Sequence, residues 1–495
     1  MPFEPTAEQA QAILTCCRFL TSRSDRRAMI LRGSAGTGKT TVAGALVRAL
    51  VALHRRVVLL APTGRAAKVF SLGSGHPAFT IHRRIYRQRA FTGVDMGRFS
   101  LNDNLHRDTL FMVDEASMVA NDGFGDSPFG DGRLLDDLVR FVYQGSGCAL
   151  MLIGDKAQLP PVGEEESPAL TDAVMADYGL EVWSCDLNEV LRQERASGIL
   201  WNATAIRQMI THDSMTQLPR IRLRGFADIA VVPGDELIEQ LAGSYSEAGI
   251  DETIVVTRSN KRAGIYNQGI RARILDREEE LCAGDMVMVV KNNYYWLKND
   301  DFIDKNAPSE PHETAAMSDA DDVAADVHRP MDFVANGDRC RVVRVRQFRE
   351  LYGFRFADAV LQFPDYDNYE LEATVLLDTL TSEAPALTAT QQSKLFEGVM
   401  EDYFDITLKA DKMKAVKTDR HFNALQMKYA YAVTCHKAQG GQWAHVYVDQ
   451  GYMTDDMLTP DYIHWLYTAF TRATEKLFLV NWPATQLEAA DRISD

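Results

Sequence analysis

Gly33-Ser34-Ala35-Gly36-Thr37-Gly38-Lys39-Thr40 stands between an apolar run, Ala28-Met29-Ile30-Leu31, and a stretch carrying Val42, Leu46, Leu50 and Leu53 at helical spacing. The order is strand, glycine turn, helix, the context that a phosphate-binding loop requires. Gly33, Gly36 and Gly38 let the backbone curl so that its N–H groups, those of Ser34, Ala35 and Thr37 included, converge on phosphate oxygens at a helix N-terminus. Lys39 adds a point charge for the β- and γ-phosphates, Thr40 a hydroxyl ligand for Mg²⁺, and Thr41 carries the cradle into the helix. The reading is a nucleotide site; a glycine turn that binds nothing is the alternative.

Working outward, Thr6 is a candidate N-cap for a helix carrying Ala12, Ile13, Cys16, Phe19 and Leu20. Val57–Leu60, Leu110–Val113 and Ala149–Ile153 are further apolar strands, each ending in polar residues: Ala61-Pro62-Thr63, Asp114-Glu115 and Gly154-Asp155. Buried strands that alternate with helices describe a doubly wound parallel sheet, with ligands at the strands' carboxyl ends. Residues 87–107 form a polar, aromatic-containing excursion, and 121–133 read as a loop. A second α/β pattern begins near Leu187, includes Ile254–Val256, and resumes at Tyr429–Val433, Val446–Val448 and Lys476–Val480. Between its halves, Met286–Val290, Arg341–Arg346, Ala357–Phe363 and Leu371–Leu377 are strands without intervening helices, which predicts a small β-barrel insert.

The chain has 495 residues, 46% hydrophobic and 25% charged, enough for several domains with sizeable cores. No run approaches 18 apolar residues, and Met1–Gln11 is not a charged-then-apolar leader. Seven cysteines with no C-x-x-C pair predict reduced thiols and a cytoplasmic setting. The net charge of −16 hides an asymmetry. Residues 18–108 hold 17 Lys and Arg against four Asp and Glu, whereas 300–332 hold ten acids against two bases. Local fields decide where a polyanion docks, although a charge run alone describes any solvated face.

Asp114-Glu115, downstream of the glycine loop, is the arrangement that holds Mg²⁺ through the aspartate and activates water through the glutamate. Gln158, in Gly154-Asp155-Lys156-Ala157-Gln158-Leu159-Pro160-Pro161-Val162, can bond the γ-phosphate or the attacking water, and the two prolines stiffen the loop behind it.

With Ala61-Pro62-Thr63-Gly64-Arg65-Ala66-Ala67, Thr80-Ile81-His82, Leu187–Gln193, Thr434–Gly440 and Tyr467–Ala473 added, the ordered set resembles superfamily 1 helicases. The branch it resembles is the one containing RecD and Dda (superfamily 1B). Ala-Pro-Thr and Pro-Pro are typical of its 5′→3′ members, and the long Pif-type signature is not apparent. The resemblance covers residues 6 to about 480.

It implies an α/β fold of two RecA-like P-loop NTPase domains with a β-hairpin pin and an SH3-like β-barrel insertion. The expected domains are 1–186 (pin about 87–108), 187–280 with 415–495, and an insert at 281–414 holding an acidic loop at about 299–330. It implies ATP and Mg²⁺ as cofactors, Gln9 as the adenine-reading residue, and Arg192 and Arg472 as arginines donated across an interface. Pro62, Thr63, Thr80, His82, Thr434, His436 and Lys437 would contact DNA, and Phe99 would be the pin's stacking residue, with a core aromatic the alternative. The expected partners are single-stranded DNA and duplex or fork DNA, with no membrane, for a protein active as a monomer. Two alternatives stay open: an RNA-directed motor of the same superfamily, and an ATP-switched strand-binding remodeller that unwinds nothing.

Overall fold

The computed structural model describes residues 4–88, 99–123, 132–189, 197–212, 217–299, 331, 333–454 and 457–488. Arg192 and the acidic stretch 300–330 therefore lie outside the described residues. The chain falls into two compact units. The first combines residues up to Asp276 with those from Tyr431 onward, and the second spans Arg277–Ala430.

The first unit holds two parallel sheets. One is built from β1 (Arg27–Gly33), β2 (Arg56–Ala61) and β3 (Ala78–Thr80). After the antiparallel hairpin β4 (Tyr86–Gln88) and β5 (Phe99–Leu101), it continues with β6 (Thr109–Val113), β7 (Ala149–Gly154) and β8 (Glu181–Leu187). Their order is β3-β2-β6-β7-β1-β8, all parallel. Burial drives the assembly: β6 and β7 are buried along their whole length, and the helices Ala7–Thr21 and Lys39–Ala52 pack Phe19, Val42 and Val47 against Met29, Leu31 and Met151. Burying such side chains contributes roughly 1.5–3 kcal/mol each.

The second sheet contains β9 (Ile229–Val232) and β10 (Thr253–Thr257) from before the insertion, and β16 (Ala432–Thr434), β17 (Trp443–Asp449) and β18 (Ala473–Val480) from after it. The order is β16-β10-β17-β18-β9, again parallel. Asn267 joins the two chain segments, its Oδ1 accepting from the N–H groups of Tyr431 and Ala432 and its Nδ2 donating to Ala432 O.

The second unit is a closed barrel of β11 (Met286–Val289), β12 (Arg339–Leu351), β13 (Phe354–Phe363), β14 (Tyr369–Leu376) and β15 (Leu425–Tyr429), antiparallel except between β14 and β15. The helix Ala389–Asp402 packs Leu395 and Val399 onto Phe354 and Phe356.

The two α/β sheets, the hairpin and the barrel are as expected, and two boundaries are corrected. The insert runs to Ala430, not to residue 414, because β15 closes the barrel between β11 and β14. The apolar run Tyr429–Val433 is consequently not one strand: Tyr429 ends a barrel strand and Ala432 begins a strand of the second sheet. No helix among the described residues is long and apolar enough to cross a membrane.

Candidate active site

The glycine loop leaves β1 and feeds directly into the helix Lys39–Ala52. Gly38 caps that helix at φ +78°, a left-handed conformation that only glycine adopts freely, and Gly36 lies at +77°. The helix has no acid in its first turn and no side-chain cap, so its leading N–H groups and positive dipole end face the loop unneutralised. Lys39 Nζ donates to the carbonyls of Gly33 and Ser34 at 2.7 and 2.9 Å, curling back over the loop. Thr37 is buried, with its hydroxyl on Ser34 O, while Thr40 is exposed and Thr41 half-buried.

Gln9 forms a capping box with Thr6 and also donates through Nε2 to Thr37 O at 3.0 Å, tying the first helix to the loop. Glu8, one residue earlier, accepts the N–H groups of Asn188 and Glu189. The segment leading to Arg192 thus starts beside Gln9.

Asp114 and Glu115 follow β6. Asp114 is buried, and its Oδ1 accepts the Glu115 N–H at 2.9 Å. Burial first, then the neighbouring Glu115 carboxylate, pushes Asp114 up to about 7, with the charge of Lys39 opposing. Glu115 takes a left-handed backbone at φ +50°, a strain of about 1–3 kcal/mol for a residue other than glycine. Gln158 is buried, and its Oε1 is an acceptor with no hydrogen-bond partner among the described residues.

Four side chains of the second sheet's lobe engage the segment from Asp155 to Leu159. The Tyr467 hydroxyl accepts the Ala35 N–H of the glycine loop at 3.0 Å and donates to Asp155 Oδ2 at 2.5 Å. Thr468 Oγ1 accepts the Leu159 N–H at 2.8 Å, Gln439 Nε2 donates to Leu159 O at 2.7 Å, and His464 Nδ1 lies 2.9 Å from Ala157 O. Burial and the Asp155 carboxylate push the Tyr467 phenol well above its ordinary value, so it stays a donor.

Arg472 lies just beyond the helix Pro460–Phe470, where the chain turns into β18. It is 2% exposed, and its guanidinium bonds Thr468 O, Gly441 O and Thr471 Oγ1 at 3.0–3.2 Å. Those three partners belong to its own lobe. Among the described residues, the second-lobe side chain bonded to the glycine loop is Tyr467, five residues earlier.

The expected strand-contacting residues gather at carboxyl ends of strands. Pro62 and Thr63 follow β2, and Thr63 caps the helix Gly64–Ser74. Thr80 ends the edge strand β3 and caps Ile81–Ile85, which carries His82. The second sheet repeats the pattern: Thr434 ends its edge strand β16 ahead of the short helix Cys435–Ala438 with His436 and Lys437, and Ser259 caps Asn260–Arg273 after β10. Gly440, at φ +72°, abuts Thr63: a Cβ there would lie 3.1 Å from Thr63 Oγ1. Arg65 stacks 4.5 Å over Trp443 and donates to Gln442 O. Burial pushes His82 down to about 4 and lowers His436, so both are neutral near pH 7. Phe99 pairs with Gln88 in the hairpin, and its side chain is outside the described residues.

Sequence reasoning quoted the stretches holding Tyr467, Thr468 and Gln439 without giving these residues a role. It likewise gave no role to Ser259 and Arg258, whose equivalence to Thr63 and Pro62 appears only once the two sheet orders are laid side by side.

Residues 5–226 match the family model of an AAA domain, and residues 429–480 that of a UvrD-like helicase C-terminal domain. Among curated proteins, the chain is 26% identical to the ATP-dependent DNA helicase dda of Enterobacteria phage T4, over 52% of this chain and 55% of that one. It is 33% identical to the ATP-dependent RecD2 DNA helicase of Deinococcus radiodurans, over 29% of this chain and 17% of that one. The matches thus span about half of the first relative and a smaller share of the second. A Bacteroides Pif1 helicase solved with ADP-AlF3 and single-stranded DNA superposes over 100% of this chain and 95% of that one, at TM-score 0.46 and 13% identity, a likeness that carries no weight for the site.

Proposed function

We propose, on the premise that the chain belongs to superfamily 1B of the helicases, that it is an ATP-driven motor translocating 5′→3′ on single-stranded DNA and unwinding duplex ahead of it. The observation that carries the proposal is the seam: the loop bearing Gln158 hangs from the first sheet but is held by Thr468 and Gln439 of the second. A nucleotide in the cradle therefore touches groups whose other bonds reach the opposite lobe, and a change there becomes relative movement of two strand-binding surfaces.

In this reading the loop amides and Lys39 hold the phosphates, and Gln9 orients the base. Glu115 accepts the proton of the attacking water, which Gln158 Oε1 orients. Arg192 and Arg472 are the cations proposed to neutralise developing charge, a contribution of about 10³–10⁵ in rate.

The residues fit Mg²⁺. Asp114, a buried carboxylate that burial holds up near 7, and Thr40, an exposed hydroxyl, are hard oxygen donors of the kind that ion takes, and a cation would restore the carboxylate's charge. Mg²⁺ held by Thr40 and Asp114 would neutralise the β- and γ-phosphate oxygens.

Pro62, Thr63, Thr80 and His82 on one lobe and Ser259, Thr434, His436 and Lys437 on the other form the proposed strand track, with Phe99 on the hairpin at the fork. The test is ATP turnover with matched DNA and RNA oligonucleotides. DNA should stimulate turnover, and Glu115→Gln should remove about 10²–10⁴ of it while leaving strand binding intact. Stimulation by RNA alone would reassign the track, and strand binding without turnover would leave only an ATP-switched remodeller.

A further inference from the structure

The Tyr467 hydroxyl is unusual in where its two bonds go. It accepts an amide proton from Ala35 in the phosphate cradle and gives its own to Asp155, which follows β7, yet it belongs to the helix Pro460–Phe470 of the other lobe. Ala35 directly precedes Gly36, so the amide taken by the phenol is one of the set that converges on phosphate. Asp155 in turn holds the Ala157 N–H through its second oxygen at 3.0 Å, which fixes the turn carrying Gln158. One hydroxyl thus couples the cradle, the Gln158 turn and the second lobe. The next residue, Thr468, holds Leu159 on the far side of Gln158.

We propose that Tyr467 is the positioning residue that carries nucleotide state across the seam. Its hydroxyl competes with phosphate oxygen for the Ala35 N–H. A phosphate that draws that amide away leaves the phenol bonded to Asp155 alone, and the helix is released from the cradle while it keeps the Gln158 turn. The two lobes therefore hold different relationships with and without a γ-phosphate. No proton is transferred: burial keeps the phenol protonated. The inference rests on the motor reading and names the contact through which that motor is coupled.

The test uses Tyr467→Phe, which keeps the buried ring and deletes the hydroxyl, in the full chain. A fluorescent single-stranded oligonucleotide is titrated in ADP and in a non-hydrolysable ATP analogue, and the ratio of the two Kd values measures coupling without turnover. The unaltered chain is expected to show a ratio of about tenfold or more, and Tyr467→Phe a ratio within about twofold of one. Stimulated kcat should fall with the KM for ATP changed less than about threefold, the pattern of a lost coupling contact. A ratio in Tyr467→Phe equal to that of the unaltered chain overturns the proposal. A ratio of one in the unaltered chain overturns it through the motor reading itself. Should Tyr467→Phe melt before it can be titrated, Asp155→Ala, which keeps the phenol and removes the oxygen that accepts its hydrogen bond, is expected to show the same collapse, and full coupling there overturns the proposal.

Discussion

Arg472 poses the sharpest question about a single side chain, because a cation expected at the phosphates is buried among carbonyls of its own lobe. The guanidinium braces the turn between helix and β18, and the role proposed for it requires it to swing toward the seam during turnover. Arg472→Ala would then have two effects. Truncation removes the guanidinium donor from Gly441 O, at about 1–3 kcal/mol, and leaves Thr468 O with the Thr471 hydroxyl, so the melting temperature should fall by several degrees. Single-turnover hydrolysis should fall by about 10³–10⁵. Arg472→Lys should recover part of the stability and little of the rate, since an ammonium cannot reproduce the planar fork. Thermal melts with single-turnover ATP hydrolysis check this, and an unchanged melt with lost turnover would mean that the carbonyl contacts do not matter. The cradle around Gly38 was legible because few residue types permit it. Tyr467 was not, because its partners lie 432 and 312 positions away in the chain.

At the scale of elements, interior strands were legible and edges were not. β6 and β7 are unbroken apolar runs because both faces are covered. β8 exposes Glu181 and Asp186, and β3 is three residues long, so neither stands out from a loop. β15 was joined to β16 because a shared apolar texture carries no mark of the point at which the chain leaves one sheet for another. The barrel makes a prediction of its own. Asp338, the residue before β12, is buried, its oxygens accepting from Ala335 N and Tyr366 Oη at 2.7 and 2.9 Å, and burial pushes it up to about 7. Folded, it keeps its proton up to about 7; unfolded, it releases it near 4. Between those values the unfolded chain binds fewer protons, so this group's contribution to stability is full below about 4 and declines as pH rises to about 7. Urea unfolding from pH 4 to 8 should show that decline, and Asp338→Asn should flatten it; an equal slope in both proteins would mean the carboxyl is ionised in the folded state.

For the whole molecule, the net charge of −16 is a poor guide to partners, since the N-terminal stretch that bears Thr63, Thr80 and His82 is strongly basic. In the proposed motor, fuel consumed between two parallel sheets becomes directed travel along a strand. A strand-displacement assay with ATP and Mg²⁺ on duplexes carrying either a 5′ or a 3′ single-stranded tail tests it most directly, with Lys39→Ala as the control. The expected result is displacement from the 5′-tailed substrate, little from the 3′-tailed one, and none with the control. Equal displacement from both tails, or displacement that survives Lys39→Ala, would contradict it.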